Sequence, residues 1–148
     1  MQINFIFGVS NRMNAICHVI NKYYLSSRNL LVYSNEHEAL CKLDSMLWTF
    51  KDVSFIPHSF YKIDNNCEEE FIIVTSKKTN NMKSKEMLLI NMSNIIPLCY
   101  NDFEGVVEIV SESEQERYEA RSRWRIYKND GHLLTGCHFN DFDSPKEK

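Results

Sequence analysis

Arg117, Arg121, Trp124, Arg125 and Lys128 recur every three or four residues near the end of a 148-residue chain. At about 100° per residue, that spacing gathers them on one arc of a helix roughly three turns long. Guanidinium groups beside an indole bind carboxylates by charge-assisted hydrogen bonds while the ring takes an apolar group. The chemistry in view is capture of an acidic partner with an apolar tip. A plainer account also fits: Glu112, Glu114 and Glu116 early, and Arg123, Arg125 and Lys128 late, are the charges that a solvated helix places against its own dipole. Ala120, Trp124 and Tyr127 share a neighbouring arc, which puts Trp124 at the rim of the core with its indole N–H left for a partner.

The elements around this stripe are well marked. Val106-Val107-Glu108-Ile109-Val110 reads as a buried strand before it. Ser111 stands three residues ahead of Glu114, the spacing of a capping box, and Gly131 sits where a left-handed residue closes a helix.

Other chemistries lack their parts. The turn after the first strand, Gly8-Val9-Ser10-Asn11-Arg12, has one glycine and no Gly-x-Gly-x-x-Gly or Gly-Lys-Ser/Thr ending, so it does not cradle phosphate. Ser54, His58 and Ser59 lie close in sequence without a Gly-x-Ser-x-Gly elbow, and His58 after Pro57 reads as a structural histidine in an extended turn. Glu68-Glu69-Glu70 reads as a solvated loop rather than a metal site. Cys17, Cys41, Cys67, Cys99 and Cys137 are odd in number and scattered, with no Cys-x-x-Cys, and read as reduced packing residues. No catalytic residue, cofactor or metal site emerges.

Composition frames these readings. Hydrophobic residues at 43% and charged residues at 25% are ordinary for a globular domain, and the net charge of -3 argues against a broad nucleic-acid footprint. No apolar run approaches the ~20 residues of a membrane span, and Met1-Gln2-Ile3-Asn4 does not open a signal peptide, which points to the cytoplasm. Strand-like stretches at Ile3–Phe7, Leu30–Tyr33, Phe71–Val74, Met87–Ile90 and Val106–Val110 alternate with helices over Asn11–Leu25, from a cap at Ser34 or Asn35 to about Leu47, and after Ser111. This order predicts an α/β fold, an open and mostly parallel sheet with helices on both faces, Rossmann-like but without the nucleotide-binding glycine loop. Residues 1–136 form one domain in this reading, and 137–148 form a polar tail without fixed order.

Leu47-Trp48-Thr49-Phe50 followed by Ser54-Phe55-Ile56-Pro57-His58 resembles the chi subunit of bacterial DNA polymerase III, whose members carry a Leu-Trp and then a Ser-Phe-x-Pro-His turn. Leu88-Leu89-Ile90-Asn91-Met92 resembles the family's Leu-Ile-Asn strand. Val106–Val110 and the run from Ala120 to Gly131, with Ala120-Arg121-Ser122-Arg123-Trp124-Arg125-Ile126-Tyr127-Lys128, resemble its closing strand and helix. The likeness implies a non-catalytic accessory subunit that ties the clamp-loader assembly, through the psi subunit, to the acidic, phenylalanine-ended tail of single-stranded DNA-binding protein. It assigns tail binding to Val110, Arg117, Arg121, Trp124 and Arg125, with Lys128 as an extension, and the psi interface to Trp48 and Phe55. Nucleic acid is then contacted indirectly, and the chain is a monomer or pairs with psi. Two alternatives stand beside it: a small α/β nucleotide-binding enzyme, and a direct single-stranded nucleic-acid binder using the same helix. The chain departs from the family at Ser59–Asn66, where many members have a glycine-rich loop, at Glu86-Met87, and from His132 to Lys148. There Asp141-Phe142-Asp143, an acid-aromatic-acid triplet, could fold back onto the arginine stripe.

Overall fold

A run of β-branched and aliphatic residues forms a strand here wherever both of its faces are covered, and Gly105–Ser111 is the extreme case, buried along its whole length. A computed structural model describes residues 1–49, 59–60, 72–75, 86–97 and 100–143. The strands are β1 (Gln2–Val9), β2 (Asn29–Tyr33), β3 (Ser59–Phe60), β4 (Ile72–Thr75), β5 (Met87–Asn91), β6 (Gly105–Ser111) and β7 (Leu133–His138). The helices are α1 (Arg12–Leu25), α2 (His37–Thr49), α3 (Glu114–Asn129) and α4 (Phe139–Asp143), with a 3-10 turn at Tyr100–Asp102. The strands form one open sheet in the order β3-β4-β2-β5-β6-β1-β7, and every neighbouring pair is parallel. The α/β class expected from the alternation of elements is the one adopted.

Alternation along each strand divides the core in two. Ile6, Leu30, Val32, Ile90, Val107 and Ile109 face one way and pack with α1 and α2. Ile3, Phe5, Leu31, Leu89, Val106 and Val110 face the other way and pack with Ala120 and Tyr127 of α3. Strands buried on both sides carry apolar residues at nearly every position, as a parallel sheet between helices requires.

Asn11 caps α1, its side chain accepting from the Asn14 N–H at 3.0 Å. Ser34 Oγ accepts from Glu36 N–H at 3.1 Å, a turn ahead of α2 and not a cap on its first residue. The Ser111–Glu114 capping box does not form. Ser111 is the buried last residue of β6, and Ser113 is the N-cap of α3 with no side-chain capping bond. The other end behaves as expected: His132 N–H bonds to Tyr127 O, Gly131 N–H bonds to Lys128 O, and Gly131 has φ +88°.

The stretch read as an unordered tail after residue 136 instead finishes β7 and forms α4 up to Asp143. β7 pairs with β1, from Gln2↔Leu133 to Phe7↔His138, and so finds partners that its own composition does not advertise. Phe142 of the acid-aromatic triplet packs against Tyr23, with Lys22 Nζ 4.4 Å from its ring centre. It therefore docks on α1, on the face of the sheet opposite α3, and does not reach the arginine stripe.

Candidate functional site

α3 connects two parallel strands, β6 and β7, and so runs back antiparallel to them across β1. Its inward residues are few: Ala120, Arg123 and Tyr127 are the buried ones. With little apolar contact to hold the helix, a polar cluster fixes how it is rotated. Glu108, wholly buried in β6, accepts from Arg123 Nε at 3.0 Å, Tyr127 OH at 2.7 Å and Asn91 Nδ2 at 2.8 Å. Arg123 Nη1 also donates to Asn94 O at 3.0 Å. Arg12 enters the same cluster, donating to Ile109 O at 2.9 Å and pairing with Glu116 at 3.3 Å.

Burial raises the Glu108 carboxyl above its ordinary value, against the opposing pull of Arg123, Tyr127, Asn91 and Arg12. Burial and the neighbouring Glu108 raise the Tyr127 phenol as well. Tyr100, which donates to Asp130 Oδ2 at 2.5 Å just past the end of α3, is pushed up to about 12 by burial and that carboxylate. A buried ion pair survives only where its remaining donors and acceptors are met, and here they are.

Once Arg123 is turned inward, the rest of α3 follows at about 100° per residue. Trp124, Arg117, Lys128 and Arg121 fall within roughly 60° of one another, on the flank toward β7. Arg125 lies further round toward solvent. Arg117, Arg121, Arg125 and Lys128 are exposed, and Trp124 is half-buried. Among the described residues, no carboxylate pairs with any of these four cations.

Arg117, Ala120, Arg121 and Trp124 form one wall of a groove of about 310 Å³, whose floor is Phe5, Phe7, Val110 and Gly136. The Trp124 ring stands edge-on to Phe5, with centroids 5.0 Å apart. Of the residues expected from sequence, Val110, Arg117, Arg121 and Trp124 are thus brought together. Arg125 and Lys128 lie outside the groove lining. Trp48 is in the last turn of α2, and Phe55 lies outside the described residues, as do Ser54, His58 and Glu68-Glu69-Glu70.

Phe5, Phe7 and Gly136 escape a reading of the helix because they come from β1 and β7, over a hundred positions away in the case of the two phenylalanines. The available signal was Leu133-Leu134 directly after the Gly131 stop, which in a β-α-β order reads as the next strand. The far flank of α3 differs. Tyr118 and Ile126 are exposed there beside Ile95, with Glu119 and the already paired Arg123, so no free cation of the described residues gathers. In the turn after the first strand, Gly8 and Val9 belong to β1, Asn11 caps α1 and Arg12 bonds to Ile109 O and Glu116. Among the described residues, no three His, Cys, Asp or Glu side chains converge as a metal set, and no helix is long and apolar enough to cross a membrane.

The family described as DNA polymerase III chi subunit, HolC, matches residues 1–135. The DNA polymerase III subunit chi of Pseudomonas aeruginosa is 27% identical over 125 residues, covering 84% of this chain and 84% of that protein. A 103-residue stretch is 29% identical to merozoite surface protein 1 of Plasmodium falciparum, covering 64% of this chain but only 6% of that protein, too little of it to bear on function.

Proposed function

The chain belongs to the DNA polymerase III chi subunit family, and from that premise we propose that it is a non-catalytic adaptor whose α3 groove binds the acidic, phenylalanine-ended tail of single-stranded DNA-binding protein. Membership itself gives an accessory role in DNA replication, as a subunit of a polymerase complex. The observation that carries the finer reading is the convergence of Arg117 and Arg121, which have no carboxylate partner among the described residues, with Trp124 and Val110 on one apolar-floored groove. The arginines take the tail's carboxylates, the terminal one included, and the apolar floor takes the benzyl group. Arg125 and Lys128 extend the positive field along the helix and speed encounter. Contact with nucleic acid is then indirect, through the coat protein, in the cytoplasm.

The psi subunit is assigned to the Trp48 and Phe55 surface on the family likeness. Phe55→Ala is expected to weaken psi binding and spare the tail.

Calorimetry with an acidic peptide ending in phenylalanine tests the groove. Arg121→Ala and Trp124→Ala should each cost about 1–3 kcal/mol of binding. Wild-type affinity in both variants refutes the assignment. Mobility shifts on bare and coated single strands separate the adaptor from a direct strand binder, because only the adaptor needs the coat.

A further inference from the structure

The groove is larger than one phenyl ring requires. A cavity of about 150 Å³ holds benzene, and this one measures about 310 Å³. Its surplus lies over β1 and β7. Phe5 and Phe7 point to the same face, yet Phe5 is 5% exposed under Trp124 and Phe7 is 44% exposed. On β7 the His138 ring flanks one edge of Phe7, but the strand presents Gly136, with no side chain, to the other. A Cβ added at Gly136 would lie 3.4 Å from Phe7 Cε1, so any larger side chain would fill the space. His138 bounds the far end, its ring edge-on to Phe7 with centroids 5.5 Å apart.

Resting on the tail-binding reading, we infer that Phe7 and Gly136 form a second apolar subsite, which takes the side chain two residues before the peptide's terminal phenylalanine. An extended peptide turns every second side chain the same way, about 7 Å apart. With the terminal ring seated between Trp124 and Val110, the residue next to it points away from the floor and the one before that reaches the same groove. Among the described residues, the floor is Phe7 and Gly136, which carry no charged or hydrogen-bonding group, so the subsite selects an aliphatic or aromatic side chain over a polar one. Phe7 and Gly136 thereby set specificity, while the arginines supply attraction to any acidic tail.

Two peptides, Asp-Asp-Leu-Ser-Phe and Asp-Asp-Ser-Ser-Phe, titrated into the full chain by calorimetry, decide the matter. The wild type should favour the leucine peptide about tenfold, the effect of partly burying one leucine side chain. Gly136→Val should reduce that ratio to about one. The substitution suits an edge strand, and Gly136 does not have the positive φ that would forbid it. Phe7→Ser supplies a second route to the same loss should the valine variant unfold. Equal affinity of the wild type for both peptides, with Arg121→Ala weakening both, overturns the subsite and leaves the adaptor reading intact. Failure of Arg121→Ala to weaken either peptide removes both.

Discussion

Arg121 and Arg123 are two residues apart on one helix, and they live in different solvents. Arg121 is exposed with no carboxylate partner among the described residues. Arg123 is 4% exposed and clamped to a wholly buried Glu108. Identical chemistry is therefore placed in opposite settings: one guanidinium holds the helix against the sheet, and the other stands exposed on the wall of the groove. The two are coupled, because turning Arg123 inward is what points Arg121, Arg117 and Trp124 at the groove. Cysteines repeat the contrast on a smaller scale, with Cys17 buried and Cys41 exposed.

Removing the interior arginine should have the largest effect. Arg123→Ala leaves the Glu108 charge buried without its ion-pair partner and is expected to cost about 3–5 kcal/mol of folding stability, read by chemical denaturation. A loss under about 1 kcal/mol would falsify the clamp. The triple replacement Glu108→Leu, Arg123→Met and Tyr127→Phe sharpens the point, because apolar residues of similar volume that also remove the hydroxyl donating to Glu108 should restore most of that stability.

The outer arginine should behave in the reverse way. Arg121→Ala should leave stability within about 0.5 kcal/mol while weakening an acidic peptide by about 1–3 kcal/mol. Added salt should shrink that penalty, because an exposed charge is screened and a buried one is not.

Next comes Gly131→Ala, which places a Cβ at φ +88° directly after α3. Among the described residues nothing beyond its chain neighbours lies within 4 Å of that Cβ, so the expected loss of about 1 kcal/mol is backbone strain, seen as a lower Tm. The smallest effect is chemical. Burial pushes the Cys17 thiol up to about 11, so at pH 8 it stays protonated and should resist an alkylating reagent that modifies Cys41. Mass spectrometry of the digested protein reads both sites, and equal labelling in the folded state would contradict the burial.

Periodicity made the fold class, the five sheet-forming runs and the reach of α1 and α3 legible, because alternation and helical spacing are local properties of the chain. The arginine-tryptophan stripe was legible for the same reason, since residues three or four apart share a face whatever the tertiary context. β7 was not legible: its central Gly136 and its polar residues have little strand character, and it is β1 that supplies its hydrogen-bonding edge. Nor was the missing capping box, because β6 runs on through Ser111 and the strand's pairing outweighs a short-range cap.

By itself, then, the order of residues determined which side chains line one arc of α3. Only the packed molecule decided that Arg123, off that arc, turns inward to pair with Glu108, that Val110 joins Arg117, Arg121 and Trp124, and that Phe5, Phe7 and Gly136 complete the floor. Local spacing fixes the relative angles on a helix, but its absolute rotation against the sheet is a long-range quantity. Here one buried ion pair, contributed by two different elements, sets it.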